Sequence, residues 1–126
     1  MAPMEQSVPA FDVKQLEKLS VLQDETEPNA VADLARGYLT RTPQRLQRMR
    51  EMLASGSASL LAHEAHGLAS SSGMFGMMRM RMGCKELENL VRVQGTVAAA
   101  GELLARLERS FEEARPLLMA TLGFED

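Results

Sequence analysis

The chain has no tryptophan, one tyrosine and four phenylalanines, so aromatic residues make up only 4 % of its 126 positions. Sheet-rich folds fill their pleated faces with aromatic and β-branched side chains, and this scarcity argues against one. A single cysteine, Cys84, cannot form an internal disulfide, and a reducing cytoplasm is the expected setting. Neither sign of charge prevails: the formal net charge is −3, with acidic and basic residues interspersed. The chain therefore lacks the basic stripe through which proteins displace counterions from nucleic acid, and no nucleic-acid partner is expected. No positively charged segment followed by an apolar stretch marks a leader peptide. No run approaches the ~20 apolar residues that a membrane-crossing helix needs.

What the chain does contain is Leu, Ala, Met, Glu, Arg and Gln, which lose little side-chain freedom in a helix. Residues 1–10, with Pro3 and Pro9 and no helical period, read as a flexible tail. Asp12 is placed to cap a short first helix carrying Val13, Leu16, Leu19 and Val21 or Leu22. A polar connection ends at Pro28-Asn29. Val31, Leu34, Tyr38, Leu39, Leu46, Met49 and Leu53 then mark one long helix, kinked at Thr42-Pro43 and closed by Gly56. The next helix is expected over residues 58–71, with Ser57, Leu61, Ala65, Leu68 and Ser72 on its inner face and His66 pointing outward. Gly73 and Gly76 punctuate a turn. Met77, Met80, Cys84, Leu87 and Val91 line a further helix up to Gln94-Gly95-Thr96. Leu103, Leu104, Leu107, Phe111 and Leu118 line a last one, with Pro116 near its end. Short connections between long amphipathic helices make antiparallel neighbours. The expected fold is thus all-α, an up-and-down antiparallel four-helix bundle with a short additional N-terminal helix, spanning residues 11–122 and followed by a tail of 123–126.

Around His66, the neighbours three, four and seven positions away on its helix are Ala62, Ala69, Ser70 and Gly73. Exposed helix surfaces normally carry long charged side chains, so this stripe of small residues reads as cleared for a partner's approach, with His63 and Met74 at its rim. An imidazole is mostly neutral at pH 7 and is then a nucleophile toward phosphorus.

From His66 the chain reads HGLASSSGMFGMMRMRMGCKELE. This segment resembles the histidine-containing phosphotransfer (HPt) family, whose pattern has His, an apolar residue two on, Lys and Gly at three and four, two small residues, Gly at ten, Cys at eighteen and Leu-Glu beyond. His66, Leu68, Ser71, Ser72, Gly76, Cys84, Leu87 and Glu88 match without a gap, and the helical order upstream agrees, so the resemblance covers roughly residues 11–120. It implies that His66 accepts a phosphoryl group from the aspartate of one receiver domain, in a hybrid histidine kinase, and passes it to that of a response regulator. The chain would then be a phosphorelay carrier rather than a stand-alone catalyst, binding no cofactor itself, with Mg2+ held by the receiver; a monomer is expected. Two positions depart from the pattern: Ala69 stands at the usual Lys and Ser70 at the usual Gly. The lost positive charge is expected to come from Arg79 or Arg81 on the following helix.

Two readings without phosphotransfer stay open on the sequence alone, a degenerate HPt-like module that only docks a receiver and a helical adaptor using the Met-rich stretch from Met74 to Met82. His63 and His66 are three apart, not the four of a zinc-protease helix, and no third ligand is apparent, so no metal site is expected. Cys84 lies on an apolar stripe and reads as a small core residue. The charged run 108–115 reads as a solvated helix face.

Overall fold

A computed structural model describes residues 8–22 and 28–124. Much of the expected N-terminal tail (residues 1–7), most of the polar connection before Pro28 and the last two residues of the expected C-terminal tail lie outside the described residues. Every regular element among the described residues is helical: α1 (Val13–Leu19), continued by a 3-10 turn at Ser20–Leu22, then α2 (Ala30–Ser55), α3 (Ala58–Met74), α4 (Met78–Gln94) and α5 (Gly101–Thr121). α2 packs on α3, α3 on α4, α4 on α5 and α5 back on α2, which closes an up-and-down four-helix ring, while α1 leans on α3. None of the helices is long and apolar enough to cross a membrane among the described residues.

Local chemistry sets the boundaries. Asp12 Oδ1 accepts the Lys14 backbone N–H (3.0 Å) and starts α1. α2 runs unbroken through Pro43, and the Thr42 hydroxyl donates to the Tyr38 carbonyl (2.7 Å) one turn back. It stops at Gly56, whose φ of 72° lets the Ser57 N–H turn back onto the Met52 carbonyl (2.9 Å) and satisfy a terminal acceptor.

Leu61, Leu68, Met77, Met80, Leu87, Leu104, Leu107, Phe111 and Leu118 are fully buried, as the helical spacings predict. Burying a side chain of this size is worth about 1.5–3 kcal/mol, so the inner faces dominate the bundle's stability. Cys84 is also buried, and burial pushes its thiol up to about 12. A polar pair sits inside this core: the Tyr38 hydroxyl and the Ser72 hydroxyl hydrogen-bond at 2.8 Å, and the Tyr38 ring packs against Phe75 (5.1 Å) and Phe111 (6.3 Å).

Two expectations need correction. α3 continues to Met74, three residues past Ser71, because Gly73 stays helical rather than starting the turn. Val21 and Leu34 are exposed rather than core. Arg79 Nε donates to the Val8 carbonyl (2.8 Å), and Ala10 and Phe11 pack on the core. At the other end Phe124 still packs on the bundle, beneath the Arg36 guanidinium at 4.2 Å from its ring centre.

Candidate functional site

His66 lies in the middle of α3 on the side away from the buried stripe, with 65 % of its side chain exposed. Its neighbours on the inner face, Ala65 and Leu68, are fully buried and fix the helix rotation that presents the imidazole to solvent. A groove of about 360 Å³ opens beside it, lined by His66, Ala69 and Ser70 from α3 and by Arg81, Lys85 and Glu88 from α4.

Glu88 orients the ring. Its Oε1 lies 3.1 Å from His66 Nδ1, and its Oε2 accepts from Arg92 Nε at 2.8 Å. The hydrogen bond from Arg92, and then that from His66, hold the Glu88 carboxyl below the usual carboxylate range. An ionised carboxylate offers acceptors only, so in the neutral ring the hydrogen sits on Nδ1 and Nε2 keeps its lone pair.

On the other flank of α3, Arg45 and Arg48 from α2 meet Glu64. Arg45 Nε donates to Glu64 Oε1 at 2.7 Å and Arg48 Nη2 approaches the same oxygen at 3.4 Å. Burial pushes the Glu64 carboxyl up, but the Arg45 hydrogen bond and charge, with help from Arg48, outweigh it and leave the group lowered. Arg45 also reaches the Ser71 hydroxyl (3.3 Å). Its guanidinium lies where a Cβ on Gly67 would stand, 2.7 Å from Nη2.

The residues singled out from the sequence divide. His66, Ser70 and Arg81 meet in the groove; His63, one turn earlier, and Met74 are exposed on the same helix. Ala62 and Ala69 do not belong to an open stripe: they are 1 % and 4 % exposed and face the packed core. Their small size serves helix packing. Gly73 is half-buried beneath Arg81, and a Cβ there would stand 2.7 Å from Arg81 Cδ. Arg79 is not near His66. Two positions before Arg81, it faces around the helix toward α5, pairing with Glu113 (3.0 Å) and the Val8 carbonyl. Phe75, inside the Met-rich stretch from Met74 to Met82, is buried against Tyr38.

Glu88 and Lys85 were missed as neighbours of His66. A signal was present: Arg81, Lys85, Glu88 and Arg92 repeat at spacings of four, three and four, one step along from the core stripe Met80, Cys84, Leu87 and Val91. No three His, Cys, Asp or Glu side chains among the described residues gather in a group able to hold a metal ion.

Comparison with known proteins bears on the family and the fold. The Hpt domain family matches the chain over residues 33–116. The structure is similar to histidine-containing phosphotransfer protein B (HptB) from Pseudomonas aeruginosa PAO1, with a TM-score of 0.79 and 26 % identity over 91 % of this chain and 96 % of that one. It also resembles the HPT domain of a hybrid histidine kinase from Shewanella, with a TM-score of 0.67 and 17 % identity over 89 % of this chain and 97 % of that one, a likeness of fold. No curated protein sequence matches the chain.

Proposed function

The chain belongs to the Hpt domain family, as a histidine phosphotransfer protein of a phosphorelay, and from that premise we propose that His66 is the residue that carries the phosphoryl group. The observation that supports this most is the Nδ1–Glu88 hydrogen bond on an otherwise exposed ring, because in the neutral imidazole it favours the tautomer whose Nε2 lone pair is available to a partner. In the forward step the Nε2 lone pair attacks phosphorus of a receiver's aspartyl phosphate. The N–P bond forms as the P–O bond breaks, and the aspartate leaves with the electron pair as carboxylate. No proton moves. The ring, now bearing both Nδ1–H and the phosphoryl group, carries a positive charge that the Glu88 carboxylate faces across 3.1 Å. The reverse step, with an aspartate of a second receiver as nucleophile, returns the neutral ring.

On this reading the donor is the receiver domain of a hybrid histidine kinase and the acceptor that of a response regulator. The Mg2+ and the remaining catalytic groups come from the receivers, and the chain works as a monomer in the cytoplasm. The exposed face of α3, from His63 past Gly67 and Ser70 to Met74, meets the partner. The test is phosphoryl transfer from a labelled receiver. His66→Gln should abolish acid-labile, base-stable label without loss of helicity, and His63→Gln should retain it. Label that persists in His66→Gln, or that vanishes only in His63→Gln, would refute the assignment. A parent that binds a receiver yet takes no label would identify a docking module instead.

A further inference from the structure

Resting on the reading of His66 as the phosphoryl carrier, we propose that Arg81 and Lys85, both from α4, together bind the phosphoryl oxygens and take over the role of the α3 lysine that Ala69 replaces. Three observations support it. First, the groove beside His66 is lined by these two cations and by no other. Second, they are uncommitted. Arg92 is held by Glu88, Arg45 and Arg48 by Glu64, and Arg79 by Glu113. Arg81 and Lys85 have no acidic partner among the described residues, so each keeps its charge for an incoming anion. Lys85 is only three residues from Glu88, but the partners of the Glu88 oxygens are His66 and Arg92. Third, the path of Arg81 is built into the neighbouring helix. Its Cδ crosses α3 at Gly73, where a Cβ would stand 2.7 Å away. At Gly73, as at Gly67 beneath Arg45, the lack of a side chain is used by another residue.

The arrangement has a physical logic. A phosphoryl group on Nε2 brings a double negative charge to within reach of Glu88, which is itself ionised. Two cations on the same α4 stripe, one turn apart, offset that repulsion from the groove side.

The test uses Arg81→Gln, Lys85→Gln and the double variant, with Arg81→Lys and Lys85→Arg as charge-retaining controls. The first readout is the equilibrium distribution of phosphoryl between a receiver and this chain, measured dilute. Each single variant should shift it toward the receiver by about two- to fivefold and the double by roughly tenfold at low salt, with smaller shifts at high salt, the range for exposed ion pairs. The conservative variants should hold the parental value, and Gly73→Ala, which displaces the Arg81 stem, should behave like Arg81→Gln. The second readout needs no receiver. Phosphorylation of the parent by phosphoramidate should move the side-chain NMR signals of Lys85 Nζ and Arg81 Nε. A double variant with parental equilibrium, or side-chain signals that do not move on phosphorylation, would overturn the proposal and leave His66 as the carrier. A parent that takes no label on His66 would overturn both.

Discussion

The buried and the exposed stripes of α3 are written in the same residue types, Ala, Ser and Gly, and they differ in what lies opposite. Inward, Ala62, Ala65, Ala69 and Ser72 are at most 4 % exposed, and small side chains there let the neighbouring helices close on α3 without voids. Outward, Gly67, Ser70 and Gly73 surround an imidazole with 65 % of its side chain exposed, and smallness leaves room for Arg45, Arg81 and an approaching partner. Smallness alone is therefore an ambiguous signal; one face uses it for packing and the other for access.

The sharpest way to break the comparison is to enlarge one residue on each face. Ser70→Arg should leave urea stability within about 0.5 kcal/mol, as exposed substitutions do. It should slow transfer from a receiver by about a hundredfold, because misplacing the reacting atoms by even ~1 Å costs that much. Labelling by phosphoramidate, which needs little room, should survive. Ala65→Leu should do the reverse, losing about 1–3 kcal/mol to overpacking while the folded fraction still transfers. Equal transfer rates in Ser70→Arg and the parent would remove the case for an access face.

Next in size is Tyr38→Phe, which leaves the buried Ser72 hydroxyl without its 2.8 Å partner. A loss of about 1–3 kcal/mol in urea unfolding is expected, the cost of an unsatisfied buried polar group. Ser72→Ala in the same background should recover part of it.

The smallest effect concerns Glu88 and pH. Arg92 first, and His66 second, hold its carboxyl below the usual value, so the folded state favours the ionised form. That contribution is complete above the ordinary carboxylate range and is lost as pH falls through the lowered folded value. Since the pair is solvent-exposed, it is worth less than ~1 kcal/mol. Glu88→Gln should flatten this part of the acid-side decline in stability. An acid limb identical to that of the parent would mean that Glu88 does not carry it.

Much of this was legible in the chain. Helix identity and the core stripes followed from spacing, because burial imposes the 3.6-residue period directly, as for Met77, Met80, Cys84, Leu87 and Val91. The outward position of His66 followed from the same period. What the period could not separate were positions at the edge of a stripe: Ala62 and Ala69 lie next to the core face of α3, and whether they are open depends on how closely α4 sits. Cross-helix partners were equally hidden. Arg79 and Arg81 look interchangeable in sequence, yet two residues turn a side chain more than half-way around the helix, and only Arg81 reaches the groove. Glu88 was visible as a family match but not as a hydrogen-bond partner of a residue twenty-two positions away.

The corner between α3 and α4 is also a clasp. The Asp12 N–H donates to the carbonyl of Gly76 (2.8 Å), whose φ is 79°, and a Cβ at Gly76 would collide with the Asp12 carbonyl oxygen. The contact bridges residues far apart in sequence, so closing it costs loop entropy that the adjacent α3–α4 hairpin does not incur. The N-terminal segment is therefore expected to open as a separate unit while the hairpin bearing His66 stays closed. Hydrogen exchange at the Asp12 amide reads that detachment, and it should run faster than exchange in the middle of α4. Matching rates would mean that the bundle opens only as a whole.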